Sequence, residues 1–507
     1  MQRHYGLGIL LVMVLAAFPI WAGGPTPNAA FPAGFWWGTA LSAHSVEGGH
    51  MNDWCLWESM PGHISDGSNS GPACNHWELF AEDHAWMKKL GQNAVLMSIE
   101  WSRIEPMRGV YDAAAVEHYR MMLTSLRNQG IEPVVILCDR TFPTWTSGRL
   151  DTPGHAFDFF RYAEYAAKAF GDLVDYWIPV RDPIGMVARV YKDGIYPPGR
   201  VDPTAYGKAV INMTAIHRGV AALIHEKDTV AANGKCPAQV GVLVGMRLTR
   251  PNNRENPADV SLAQASLSLS SNMFLESIMR ADLFATTQPA PQPGPKGTIN
   301  NGATNQNQCP STQPQVPVSP YAGSTTNFII CAYNGLDEVK FNLFKALGVE
   351  HVVPPGCVVD EAGQTIFPAG LPTVLASLKR FSAPLYVMIG IADATGARRG
   401  KFLIDHARQV RSAILQGCDV RGIFYNSLLS GFEFERGYSL KRGLLNVNIR
   451  VQERKPAPGA DVFRALATSN GSDETPRPMQ RPNVPKASSS PEATSAPDQT
   501  MEPQDAF

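Results

Sequence analysis

The chain has 507 residues, and its 44 Lys+Arg against 45 Asp+Glu leave a formal net charge of −1. That balance excludes a strongly basic nucleic-acid binder, which needs an electrostatic excess. An apolar share of 44% lets the chain bury a sizeable core, and a single α/β barrel accommodates this length.

Read from the amino end, Arg3 and His4 precede an apolar run from Leu7 to Trp21, followed by small residues at Ala22, Gly23 and Gly24. The run is short for a membrane span and reads as a secretory signal over residues 1–22, with a short linker over 23–30. The mature chain is then expected to be exported and to lack a membrane span. Apolar runs of strand length follow at 34–41, 93–99, 133–139, 173–180, 239–245, 327–333, 384–390 and 420–428. They are nearly continuous, as parallel strands covered on both faces require.

Helical periodicity fills the gaps. Val116, Tyr119, Leu123 and Leu126 make one stripe, closed by Gly130. Leu403, Ala407, Val410 and Ile414 make another, closed by Gly417. Eight βα repeats predict a (β/α)8 TIM barrel in one domain, residues 31–468, with long loops. Thr286–Pro320 carries eight prolines and reads as a surface loop insert. From Ser469 to Phe507 seven prolines stand among polar residues, which predicts a disordered tail.

Eight cysteines behind an export signal permit disulfides, with Cys55–Cys74 or Cys309–Cys357 as loop-to-loop candidates. Cys138 and Cys331 lie in strand runs and are expected to be buried thiols. With no CxxC, no HExxH and no glycine-rich phosphate loop after the first strand, neither a metal nor an organic cofactor is expected.

Barrel chemistry lies at the carboxyl ends of the strands. The text at those ends, FPAGFWWGTALSAHSVEG, MKKLGQNAVLMSIEWSRIEP, FGDLVDYWIPVRDP, GIYPPGR and GFEFERGYSLKRGLL, resembles glycoside hydrolase family 1, the β-glucosidase family, in order and spacing from Phe31 to Leu466. The resemblance implies a retaining β-glycosidase with two glutamates, an acid/base after strand four and a nucleophile after strand seven, about 5–5.5 Å apart.

Both positions depart from the family pattern. Asp182 stands at the acid/base position behind Arg181, and Ile389 (or Met388) at the nucleophile position, where no carboxylate remains. By the same resemblance Ser45 replaces the glycone-binding Gln, Leu96 an Arg beside the nucleophile, and Asp139 a His after strand three. Arg181 replaces the Asn before the acid/base, and Asn426 and Phe434 replace two tryptophans. Glu433 survives from the sugar-binding set, as does Tyr333, which in the family sits beside the nucleophile.

Asp182 is either a shortened acid/base or part of a buried Asp139–Arg181–Asp182 salt-bridged cluster. With a water, Asp139 and Asp182 would make an inverting pair if about 6.5–9.5 Å apart. Asp393 is expected to be a loop or helix cap. Glu433 and Phe434 suit sugar hydroxyls and a sugar face, or else pack at the strand end. The expected function is therefore a non-hydrolytic family 1-like protein binding a carbohydrate or a protein partner through the cleft. The alternative is a β-glycosidase with an altered catalytic pair.

Overall fold

The computed structural model describes residues 30–146, 149–269, 271–280, 325–343, 349–475, 479 and 481–482. Eight parallel strands close on themselves. They are β1 (Trp36–Leu41), β2 (Ala94–Ser98), β3 (Glu132–Cys138), β4 (Tyr176–Val180), β5 (Gln239–Pro251), β6 (Phe328–Phe341), β8 (Leu385–Ile389) and β9 (Val420–Asn426). Pairing runs in that order, and β9 returns to β1 with Ala40 opposite Asn426. A further strand, β7 (Val349–Val352), adds antiparallel to the far end of β6. The (β/α)8 barrel is as the apolar runs predict, except that β5 and β6 continue together well past the barrel rim.

Near-continuous hydrophobicity has a direct cause here: all five residues of β2 are buried, alternate ones facing the barrel interior and the surrounding helices. Ala94, Leu96, Val134, Ile136, Ile178, Leu243 and Ile330 fill the interior. At the amino ends of the strands Trp36 stacks on Tyr386, with centroids 4.8 Å apart, and meets Tyr176 edge-on at 4.8 Å. Leu96, which the resemblance sets at the position of a family arginine, is fully buried in this interior. The two predicted stripes form helices Ala113–Asn128 and Arg399–Leu415, with Gly130 (φ 71) and Gly417 (φ 81) in the left-handed conformation that ends them.

Two expectations need correction. Cys55, Cys74 and Cys357 are free thiols, so neither Cys55–Cys74 nor Cys309–Cys357 forms. Cys55 donates to the His50 carbonyl at 3.3 Å, whereas Cys74 is buried toward the Ser430 carbonyl at 3.9 Å. Cys236 is disulfide-bonded, to a partner outside the described residues. Cys138 and Cys331 are buried and free. The second correction concerns the first residues of the expected disordered tail, whose residues 476–478, 480 and 483–507 lie outside the described residues. Asn470 accepts from Trp37 Nε1 at 3.1 Å and donates to the Phe31 carbonyl at 2.7 Å, and Gly471 takes a hydrogen bond from Arg411, so residues 469–475 pack on the barrel. Residues 1–29 and 286–320, with the signal, most of the linker and the insert, lie outside the described residues. Among the described residues no helix is long and apolar enough to cross a membrane.

Candidate active site

Strand register sets Ala332 opposite Met388 and Ile389 opposite Tyr425, with Asn426 one residue further on, at the carboxyl end of the barrel. Asp139 follows β3, and Arg181 and Asp182 follow β4. The Arg181 N–H is bound to the Cys138 carbonyl and the Asp182 N–H to the Leu243 carbonyl, both at 3.0 Å. These two backbone bonds hold Arg181 and Asp182 onto the neighbouring strands.

Arg181 crosses the barrel mouth. Its Nη1 meets Asp139 Oδ2 at 3.2 Å and its Nη2 meets Met388 Sδ at 3.5 Å, on β8. The other Asp139 oxygen accepts from Arg140 Nε at 2.8 Å. Burial alone would raise the Asp139 carboxyl, but the guanidinium groups of Arg140 and Arg181 more than reverse that and hold it below the usual carboxylate range.

Asp182 does not join this cluster, which corrects the expected Asp139–Arg181–Asp182 triad: its members are Asp139, Arg140 and Arg181. Asp182 adopts the left-handed conformation (φ 41) ahead of helix Pro183–Tyr191, and this turns its side chain away. Its Oδ1 accepts the Gly245 N–H at 2.9 Å. Two glycines make room for the carboxylate: a Cβ on Gly185 would lie 2.1 Å from Asp182 Oδ2, and one on Gly245 would lie 2.9 Å from it.

The remaining predicted residues are distributed around the mouth. Ile389 is buried, 2% exposed. Tyr333 donates its hydroxyl to the Phe367 carbonyl at 2.6 Å. Glu433 Oε2 lies 3.4 Å from Arg442 Nε. Ser45, in the short helix Ala43–Val46, accepts the Phe432 N–H at its carbonyl. Asn426 ends β9 and lines, with Tyr333, Asn334, Met388, Ile389 and Arg442, a cavity of about 40 Å³. That is room for about three waters, far below the volume of an ordinary ligand site.

Phe434 is buried (2% exposed) with a positive φ of 50. It stacks on His44 with centroids 5.3 Å apart, meets Trp54 edge-on at 4.8 Å, and is covered by Arg140 4.1 Å from its centroid. Its faces are therefore occupied by protein. Asp393 is a cap: its carboxylate accepts from the backbone N–H groups of Gly396, Arg398 and Arg399.

Arg140 and Tyr196 were not singled out by sequence reasoning, yet Arg140 joins Asp139, Phe434 and the Tyr196 side chain. The available signal was an Asp-Arg pair at a strand end, two opposite charges at the edge of a buried run.

The family model of Glycosyl hydrolase family 1 matches residues 27–472, and the chain belongs to that family. It is 25% identical to a β-galactosidase of Pyrococcus woesei, over 87% of this chain and 98% of that protein. It is 27% identical to a rice (Oryza sativa subsp. japonica) protein called "Probable inactive beta-glucosidase 14", over 87% and 92% of the two chains. Among solved structures, a β-glycosidase from Pyrococcus horikoshii superposes with a TM-score of 0.73 at 26% identity, covering 90% of this chain and 99% of that one. A Thermotoga maritima β-glucosidase in complex with deoxynojirimycin, 23% identical, shares the fold with a TM-score of 0.74, over 87% of this chain and 99% of that one.

Proposed function

We propose that this family 1 barrel no longer hydrolyses glycosides and instead binds a carbohydrate, or a protein partner, at the barrel mouth. The observation that carries this reading is the occupation of the mouth by Ile389 and by the Arg181 guanidinium, which reaches Met388. Retaining hydrolysis needs a carboxylate at the nucleophile position and a second carboxyl about 5–5.5 Å away. Ile389 is a hydrocarbon, and the Asp182 carboxylate is bound to the backbone of β5. An inverting pair fares no better, because both oxygens of Asp139 are held by guanidinium groups. A carboxylate kept below its usual range is a poor base.

What remains at the mouth are hydroxyl-binding groups, Asn334, Asn426 and Arg442, around a space that takes a small projecting group rather than a whole ring. The rice relative named "Probable inactive beta-glucosidase 14" supports this reading. The apolar run Leu7–Trp21 supports export.

The test is release of the aryl group from aryl β-glucosides and β-galactosides by the purified full chain, alongside calorimetric titration with oligosaccharides. No turnover above the protein-free rate is expected from wild type or Asp182→Ala. Turnover that Asp182→Ala abolishes overturns the proposal in favour of an altered β-glycosidase.

A further inference from the structure

Beside the mouth, three side chains with metal-binding atoms converge from one stretch of chain. His44 lies in the short helix Ala43–Val46 after β1. Gly48 (φ 75) and Gly49 (φ 65) then turn the chain back, and a Cβ at Gly48 would fall 2.1 Å from the Pro72 carbonyl oxygen. This turn sets His50 Nε2 2.9 Å from His44 Nδ1. Cys55 follows in the first turn of helix Asp53–Glu58, where Asn52 caps the helix by accepting the Cys55 N–H at 3.1 Å. One ring nitrogen from each histidine and the Cys55 sulfur all lie within 4.8 Å of one another.

A second observation points the same way. Glu58 Oε2 is 3.4 Å from His44 Nε2, the ring nitrogen facing away from His50. Both atoms are buried and neither has a hydrogen-bond partner. A carboxylate behind the far nitrogen of a histidine fixes the ring orientation and raises its basicity in metal sites. His50 also lines a cavity of about 480 Å³, which offers an approach from outside.

We propose that His44, His50 and Cys55 form a three-ligand site for a borderline divalent transition ion of the Zn2+ class, with Glu58 orienting His44. Two imidazoles and one thiolate are a ligand set such ions take, with the fourth position left to water or another ligand. Bond lengths of about 2.0–2.1 Å to nitrogen and about 2.3 Å to sulfur require the ring nitrogens to part by roughly half an ångström. His44 Nδ1 gives up its contacts with His50 Nε2 and with Asn52 Nδ2 (3.1 Å) when it turns its lone pair to the ion. Two metal–nitrogen bonds and one metal–sulfur bond form as waters of the hydrated ion are displaced, and the Cys55 thiol proton leaves to solvent.

The experiment uses the full chain stripped with a chelator, then dialysed against buffered micromolar Zn2+, with bound metal counted by elemental analysis. Co2+ replaces Zn2+ in a parallel sample to read thiolate-to-metal absorption. A single Zn2+ per chain and a thiolate–Co2+ band are expected for wild type. Cys55→Ser is expected to lose the band, and His50→Gln to lose the stoichiometric ion. Glu58→Gln should bind about 10–100-fold more weakly. Both ligand positions are half-buried, and unchanged circular dichroism of the metal-free variants checks that they fold. No bound Zn2+ in wild type, or full binding in both Cys55→Ser and His50→Gln, overturns the proposal.

Discussion

Replacing Asp139 by alanine removes the counter-charge of two guanidinium groups at once. Its carboxylate is 1% exposed, and it meets Arg140 at 2.8 Å and Arg181 at 3.2 Å. Arg181 is 7% exposed at its side chain, and its remaining side-chain hydrogen bond is to a thioether, a weak acceptor. Arg140, at 23% exposed, is partly solvated, so most of the penalty falls on Arg181. Breaking a buried pair by removing one partner costs about 3–5 kcal/mol, because the other charge stays buried. Urea denaturation at neutral pH reads this as a lower midpoint with unchanged slope. Adding Arg181→Met removes the stranded charge and should restore about half of the loss. A loss below about 1 kcal/mol for Asp139→Ala, or a further loss from the second substitution, would refute the claim that this network is a structural plug across the mouth.

Two other outcomes follow from buried groups. Burial pushes His217 down to about 3, with the neighbouring Arg218 charge acting the same way. The unfolded chain then binds the extra proton as pH falls below about 6.5, so this histidine's contribution to stability declines with falling pH until its folded value is reached. His217→Gln should therefore lose about 2 kcal/mol less than wild type between pH 7.5 and 5, measured by denaturant titration. The comparison within one background cancels Asp53 and Asp228, which burial pushes up to about 8 and about 7 and which act in the opposite sense. Arg399, 1% exposed, donates to the Tyr425 hydroxyl and to the carbonyls of Asp393, Lys441 and Pro458. Arg399→Lys cannot reach all four acceptors and should cost about 2–3 kcal/mol in the same assay.

The sequence by itself determined the barrel. Eight near-continuous apolar runs separated by helical stripes admit few other arrangements, because strands buried on both faces need helices outside and side chains within. By the family resemblance Ile389 (or Met388) stands at the nucleophile position, and neither side chain carries a carboxylate whatever its surroundings. The Asp393 cap was legible too, as a short acidic side chain just past a strand end.

Tertiary structure decided how the mouth is filled. A left-handed φ at Asp182 sends one carboxylate to β5 while its neighbour Arg181 crosses to β8, and spacing along the chain does not encode that divergence. Phe434 suited a sugar face by residue type, but His44, Trp54 and Arg140 cover it once the loops close. The thiols of Cys55 and Cys74 approach different backbone carbonyls while Cys236 is disulfide-bonded, so an even cysteine count did not fix which thiols pair. His44, His50 and Cys55 match no metal motif in sequence and meet only because two left-handed glycines fold the chain back on itself. Periodic burial is a local property that a sequence displays directly. The direction a side chain takes at a strand end depends on backbone angles and on neighbours from distant segments, and only the folded chain supplies those.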